Sequence, residues 1–385
     1  MPAPESAAIL AELVRFDTTS RNSNLGLIAW IEAFLAARGV ASERVPDETG
    51  AKAALWAVIG PPDAAGYVLS GHTDVVPVDG QDWTGDPFIL AERDGRLYGR
   101  GAADMKGFLA ACLAKVDAMR AAPLARPIHL AFSYDEEIGC LGVRPLIRHM
   151  AARWTPPLAC FVGEPTSMGV VLAHKSKASL RATVTGRSCH SSLAPLGVNA
   201  IDYAVRLVGR IHEIGARLAS DPGDPAFDVP VSTAHVGTIA GGTILNIVPD
   251  ECVLTFEFRG LPHVDVGALI GELESFAREV LEPEMKARAP EAGILIEVTS
   301  TIPGLDTAED ADVTRLAKRL AGRNDHAKVA YGTEAGLFVE MADVPTVIVG
   351  PGSIDQAHRP DEFIAISELT RCETFLDRLI AEACR

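Results

Sequence analysis

The sequence predicts an α/β protein in which a larger domain on an open sheet is interrupted by a smaller ferredoxin-like (βαββαβ) insertion. Short apolar runs alternate with helical stretches over residues 67–172 and return at 346–349, the pattern of a sheet covered by helices on both faces. Between them the pattern changes to strand, helix, strand, strand, helix, strand, the order of a ferredoxin-like unit. At 385 residues the chain is also long for one hydrophobic core, so two structural units are expected. The expected division is 1–175 and 302–385 for the large domain and 176–301 for the insertion.

Near the start, Ile9, Leu10, Leu13 and Val14 recur at helical spacing, as do Leu25, Ile28, Ala29 and Phe34, with Gly39 as a stop signal. The apolar runs 67–69, 128–132, 159–162, 170–172 and 346–349 read as buried strands, and 107–119 as a helix. Within the insertion, 178–185 reads as a strand, 199–214 as a helix, 231–239 and 252–258 as strands, 265–288 as a long helix and 294–298 as the last strand. Residues 219–230, with three prolines and three aspartates, read as a polar loop.

The bulk composition excludes several classes. With 48% hydrophobic and 22% charged residues the chain is an ordinary globular protein. A formal net charge of -16 argues against nucleic acid, whose binding needs a basic surface. No apolar run approaches the roughly 18 residues that span a bilayer. Glu5, Glu12 and Asp17 stand where a signal peptide would be basic and then apolar, so a cytoplasmic protein is expected. The seven cysteines are odd in number and contain no C-x-x-C pair, which fits reduced thiols.

Histidine and acidic residues stand just beyond the strand candidates. Ser70-Gly71-His72-Thr73-Asp74 follows the first, Asp135-Glu136-Glu137 the second, and Glu164, in Gly163-Glu164-Pro165-Thr166, the third. His358 lies nine residues beyond Val349, and Asp104 precedes the helix at Gly107. If the sheet is parallel there, these groups meet on one rim. Crowded carboxylates raise one another's pKa unless a cation sits among them, and imidazole with carboxylate suits zinc, with cobalt or manganese as substitutes. In H-x-D, Asp74 is placed to accept a hydrogen bond from the second ring nitrogen of His72. Glu136 and Glu137 diverge as neighbours in an extended stretch, so one can bind metal while the other faces substrate. Two metals sharing a carboxylate deprotonate water and polarise an amide carbonyl, the chemistry of hydrolysis.

The segments SGHTDVVPVDGQDWTGDPF, LYGRGAADMKGFLA, SYDEEIG and GEPT, with the late His358, resemble the dizinc amidohydrolase and exopeptidase family in the family's order over nearly the whole chain. The resemblance implies two Zn2+, with Asp104 bridging them, His72 and Glu164 completing one site and Glu137 and His358 the other. It further implies Glu136 as general base and a cis peptide between Asp104 and Met105.

The insertion resembles that family's lid and dimerisation domain, which implies a homodimer. By the same resemblance His190, in Cys189-His190-Ser191-Ser192, donates to the reaction's oxyanion, and Asn246, Arg259, Thr333 and Glu334 contact substrate. Along the strand 252–258, Leu254, Phe256 and Phe258 share one face, leaving Thr255, Glu257 and Arg259 on the other. Arg259 is then free to bind a carboxylate in two-pronged fashion. AADMKG, HSSLAPLGVNAI and YGTEAGLF resemble the acetylornithine-cleaving branch of the family, implying N-acetyl-L-ornithine as the substrate and a place in arginine biosynthesis. His174-Lys175-Ser176 and Gly260 depart from the family's H-K-G and from its proline after the lid arginine. Other N-acyl amino acids, succinyl-diaminopimelate and dipeptides remain alternative substrates, and a two-lobed binding protein is the alternative without catalysis. Glu136, an acid beside the ligand set with no ligand role, favours the enzyme.

Overall fold

The computed structural model describes residues 4–385. The chain divides into two compact units, one formed by the chain up to Ala173 with Leu305–Lys328 and Thr333–Arg385, the other by His174–Gly304 with Val329–Gly332. The breaks lie within a few residues of those expected at 175 and 301.

In the first unit the main sheet runs Ser42–Pro46, Ala53–Ile59, Ile128–Ser133, Tyr67–His72, Ala159–Val162, Thr346–Ile348, Val171–His174 and Leu305–Asp306. Tyr67–His72 pairs in parallel with both Ile128–Ser133 and Ala159–Val162, and Thr346–Ile348 pairs in parallel with Ala159–Val162. Four strands thus present their carboxyl ends along one rim. Tyr67–His72 and Ile128–Ser133 are buried at every position, so a continuous apolar run serves them better than alternation.

The sheet is mixed rather than wholly parallel. Ser42–Pro46 and Ala53–Ile59 pair antiparallel, and Ala53–Ile59 pairs antiparallel with Ile128–Ser133. Neither strand was expected, because AALWAVI is apolar throughout and alanine-rich, and periodicity cannot separate such a run from a buried helix. The helix expected at 107–119 is broken into Lys106–Ala114 and Val116–Ala121. Helices Glu5–Val14, Lys106–Ala114 and Ile366–Ala383 pack Leu10, Phe108, Leu109, Phe375 and Leu376 into one core with Phe132 and Phe161 of the sheet.

The second unit is an antiparallel sheet in the order Thr233–Gly241, Glu251–Gly260, Ser176–Thr185, Gly293–Ile302. Its helices Ala200–Ser220 and Val266–Phe276 share a core with Leu180, Leu254, Phe256 and Phe258. Asn199 caps the first, its Oδ1 accepting the N–H of Ile201 at 3.0 Å. The long helix expected at 265–288 is three segments, Val266–Phe276, a π-helical turn Ala277–Leu281, and Glu282–Lys286. Among the described residues no helix is long and apolar enough to cross a membrane.

Candidate metal centre

The rim of the first unit gathers the expected acidic and histidine residues. His72 ends its strand, Glu136 and Glu137 follow Ile128–Ser133, Glu164 follows Ala159–Val162, and His358 lies in the loop beyond Thr346–Ile348. Asp104 precedes the helix Lys106–Ala114, and its bond to Met105 is cis, as the resemblance implied. Gly71 sits within the first motif because a Cβ there would lie 2.6 Å from the terminal carbon of Met105. Asp135 takes a left-handed backbone (φ 54), and Lys52 Nζ holds its carboxylate at 2.6 and 2.8 Å. That turn carries Glu136 and Glu137 over the rim.

Two imidazoles converge on one carboxylate. Nε2 of His72 lies 3.0 Å from Oδ1 of Asp104, and Nε2 of His358 lies 3.4 Å from Oδ2 of Asp104 and 3.0 Å from Oε2 of Glu137. Ligand atoms of His72, Asp104 and Glu137 lie within 4.8 Å of one another, as do those of His72, Glu136 and Glu164. Oε1 of Glu137 and Oε1 of Glu164 are buried without a hydrogen-bond partner.

Electrostatically the cluster lacks positive charge. Burial, together with Asp104, pushes the Glu137 carboxyl up to about 7, and burial with Glu137 and Asp104 pushes Glu136 up to about 8. Burial and the Asp104 and Glu136 carboxylates raise Glu164 as well. Asp104 and Glu137 in turn hold His358 up at about 10. Orphaned carboxylate oxygens and imidazole nitrogens aimed at carboxylate oxygens are what a divalent cation would satisfy, so the donor set fits zinc-type metals.

Asp74 differs from expectation in its partner. Nδ1 of His72 lies 2.9 Å from the backbone carbonyl of Asp74 and 3.5 Å from its carboxylate, so the carbonyl is the closer acceptor. The carboxylate instead accepts from the Ser20 hydroxyl at 2.7 Å and the amides of Glu136 and Glu137 at 3.1 and 3.3 Å. An Asp in an H-x-D turn reaches backbone donors as readily as the ring.

The expected substrate contacts separate. Glu334 is fully buried, its oxygens accepting from Ser70 and Ser133 hydroxyls at 2.6 and 2.7 Å. Its side chain therefore braces two strands. Thr333, 1% exposed, accepts the amide of Ala335 at 3.1 Å. In the second unit Thr255, Glu257 and Arg259 do share the face opposite Phe256 and Phe258, but Arg259 is not free, because Glu257 holds its Nε at 2.8 Å. There His190 and Asn246 are both exposed, and the Ser191 amide donates to the Asn246 carbonyl at 2.9 Å. Nδ1 of His190 accepts the Ser192 amide at 3.2 Å, which leaves the proton on Nε2.

Sequence reasoning missed Cys140, whose Sγ lies 3.2 Å from Oε1 of Glu136, and Glu362, whose Oε1 accepts the Asp104 amide at 3.0 Å. Cys140 carried no signal beyond its burial, whereas Glu362 stands four residues beyond His358, where an acid beside a ligand could have been noticed.

Residues 68–382 match the family described as peptidase family M20/M25/M40. An acetylornithine deacetylase of Photorhabdus laumondii is 36% identical over 96% of this chain and 93% of its own. An M20-family metallo-carboxypeptidase of Sulfolobus solfataricus shares the fold, with a TM-score of 0.79 at 18% identity, covering 99% of each chain. So does a dinuclear metal-binding M20 peptidase of Bacillus subtilis, with a TM-score of 0.66 at 15% identity over 98% of each chain.

Proposed function

Because this chain belongs to peptidase family M20/M25/M40 and is a hydrolase of that family, we propose that it cleaves the N-acyl amide of a small amino acid. The foremost substrate is N-acetyl-L-ornithine, with L-ornithine and acetate as products. The observation that carries the reaction is the convergence of His72 and His358 on the two oxygens of Asp104, at 3.0 and 3.4 Å, the arrangement required by two cations that share a bridging ligand. The relatives called acetylornithine deacetylase support the substrate.

His72 and Glu164 would hold one Zn2+ and Glu137 and His358 the other, with Asp104 between them and cobalt or manganese as substitutes. Bound there, the pair would polarise the amide carbonyl and lower the pKa of water toward neutrality. Glu136 takes the proton of the attacking water and passes it to the departing amine nitrogen. His190 offers Nε2–H to the developing oxyanion. Arg259, with Asn246, recognises the substrate carboxylate, and its pairing with Glu257 keeps the guanidinium ordered until then.

A homodimer through the second unit is part of the same reading. Ile239, Leu245, Leu295 and Val298 are 48%, 97%, 58% and 47% exposed on that unit, apolar surface that a partner copy would cover. A cytoplasmic setting is supported by seven free cysteines.

The test is to assay the zinc-loaded protein on acetylornithine, succinyl-diaminopimelate and a dipeptide side by side. Acetylornithine should be cleaved with the highest kcat/KM. Preferential cleavage of either other amide would overturn the substrate, and no cleavage of any would overturn the reaction.

A further inference from the structure

Asp104 and His358 sit on separate loops, and the buried side chain of Glu362 joins them. Its Oε1 accepts the N–H groups of Ala103 and Asp104 at 2.8 and 3.0 Å. Its Oε2 accepts the N–H of Gly101 at 2.9 Å and Nη1 of Arg100 at 2.8 Å. Both side chains of that ion pair are 1% exposed.

The connection continues to the other ligand. Nη1 of Arg100 also reaches the carbonyl of Arg359 at 3.3 Å, and its Nη2 donates to Oε1 of Gln81. Nε2 of Gln81 then donates to the carbonyl of His358 at 3.0 Å, while the indole N–H of Trp83 donates to Oε1 of Gln81 at 3.1 Å. The bonds run from the Asp104 amide through Glu362, Arg100 and Gln81 to His358, and the short segment from His358 to Glu362 closes the ring.

His358 needs such support more than the other ligands do. Its side chain is 54% exposed and its backbone is left-handed, with φ 62, whereas His72 and Glu164 are buried at the ends of central strands. The placement of the imidazole beside Asp104 is therefore set through its backbone, by the ring. Resting on the two-cation reading above, we propose that Glu362, Arg100 and Gln81 are positioning residues that set the affinity of the Asp104–Glu137–His358 site for its cation. His72 and Glu164 themselves are placed by the sheet. Removing the Glu362 carboxylate would strand three N–H groups of the Asp104 loop, and losing a partner behind a ligand typically lowers metal affinity ~10–100-fold.

The experiment is calorimetric titration of Zn2+ into metal-free wild type, Glu362→Gln and Gln81→Met, with the visible spectrum of each Co2+-loaded protein alongside. Gln81→Met breaks the ring at a half-buried position and keeps the fold testable if Glu362→Gln does not fold. Wild type should bind two ions. Gln81→Met, which frees only the His358 backbone, should keep one ion at wild-type affinity and bind the other roughly 10–100-fold more weakly, its cobalt spectrum changing as that of His358→Ala does. Glu362→Gln, which also frees the amide of the shared Asp104, should weaken that same ion the more. Wild-type affinity for both ions in the folded variants would overturn the proposal and leave the two-cation reading standing. Equal weakening of both ions would reduce the ring to general stability and overturn the proposal too. A single ion in wild type would overturn the two-cation reading itself and this inference with it.

Discussion

The carboxylate of Asp74 lies 3.1 Å from the backbone nitrogen of Glu136, and it accepts the next amide, that of Glu137, at 3.3 Å. One buried side chain thus orients the two glutamates to which the proposed function gives metal binding and proton transfer. Asn at position 74 would turn an NH2 group toward one of these donors. Asp74→Asn is expected to lower cation affinity or turnover ~10–100-fold, whereas Ser20→Ala, which removes one neutral donor, should change turnover only a few-fold. Titrating activity against added Zn2+ in both variants checks this. Wild-type behaviour in Asp74→Asn would show that the turn holds its pair without the carboxylate.

Glu136→Gln leaves all five expected ligands in place. Both ions should remain and substrate binding should change little, while turnover falls at least ~10²-fold, the usual cost of a lost general base. Metal content, binding and turnover measured on one preparation decide it. Near-normal turnover would end the general-base role, and loss of an ion would exchange the roles of Glu136 and Glu137.

Gly163 carries Glu164, and a Cβ at Gly163 would fall 2.0 Å from Cγ of the buried Phe108 ring. Gly163→Ala must displace the ring or the strand end. It is expected to cost at least ~1–3 kcal/mol, as overpacked cores do, and to weaken the cation site that uses Glu164. A thermal melt and a metal titration read the two effects, and an unchanged melting temperature would refute the packing argument.

Two histidines outside the cluster each subtract stability in acid. His129 accepts from Nε1 of Trp56 at 3.2 Å, His174 is fully buried, and Nε2 of each has no partner. Burial lowers both to about 4 from an ordinary 6.5. Between those values the unfolded chain takes up protons that the folded chain refuses. The contribution of these two rings is therefore neutral above about pH 6.5 and turns against the folded state as pH drops toward 4, by up to ~1.4 kcal/mol per pH unit for each ring. Glu136 and Glu137, held up at about 8 and 7, take up protons in the folded state over the same range and oppose this fall. The readout is therefore the difference in melting temperature between metal-free wild type and His129→Phe from pH 7.5 to 5, which should move in favour of the variant as pH drops. A difference that does not change with pH would contradict the sign.

The sequence by itself determined which residue types cluster and in what order. Runs such as 67–69 and 159–162 are legible because a strand buried on both faces must be apolar throughout, and residues placed just past them must emerge at the rim. His72, Glu136, Glu137, Glu164 and His358 were picked out as candidates that way, and the structure brings them together on the rim, while the bridge proposed for Asp104 came from resemblance. Only the tertiary structure decided what the remaining polar side chains hold. Glu334 looks like a substrate contact until Ser70 and Ser133 occupy both its oxygens, Arg259 looks free until Glu257 takes its Nε, and Glu362 reaches the loop of Arg100 and Asp104 from a segment far along the chain. Apolar burial leaves a periodic trace because it is repeated along each element. A hydrogen bond between distant segments leaves none, because it depends on where two single side chains end in space.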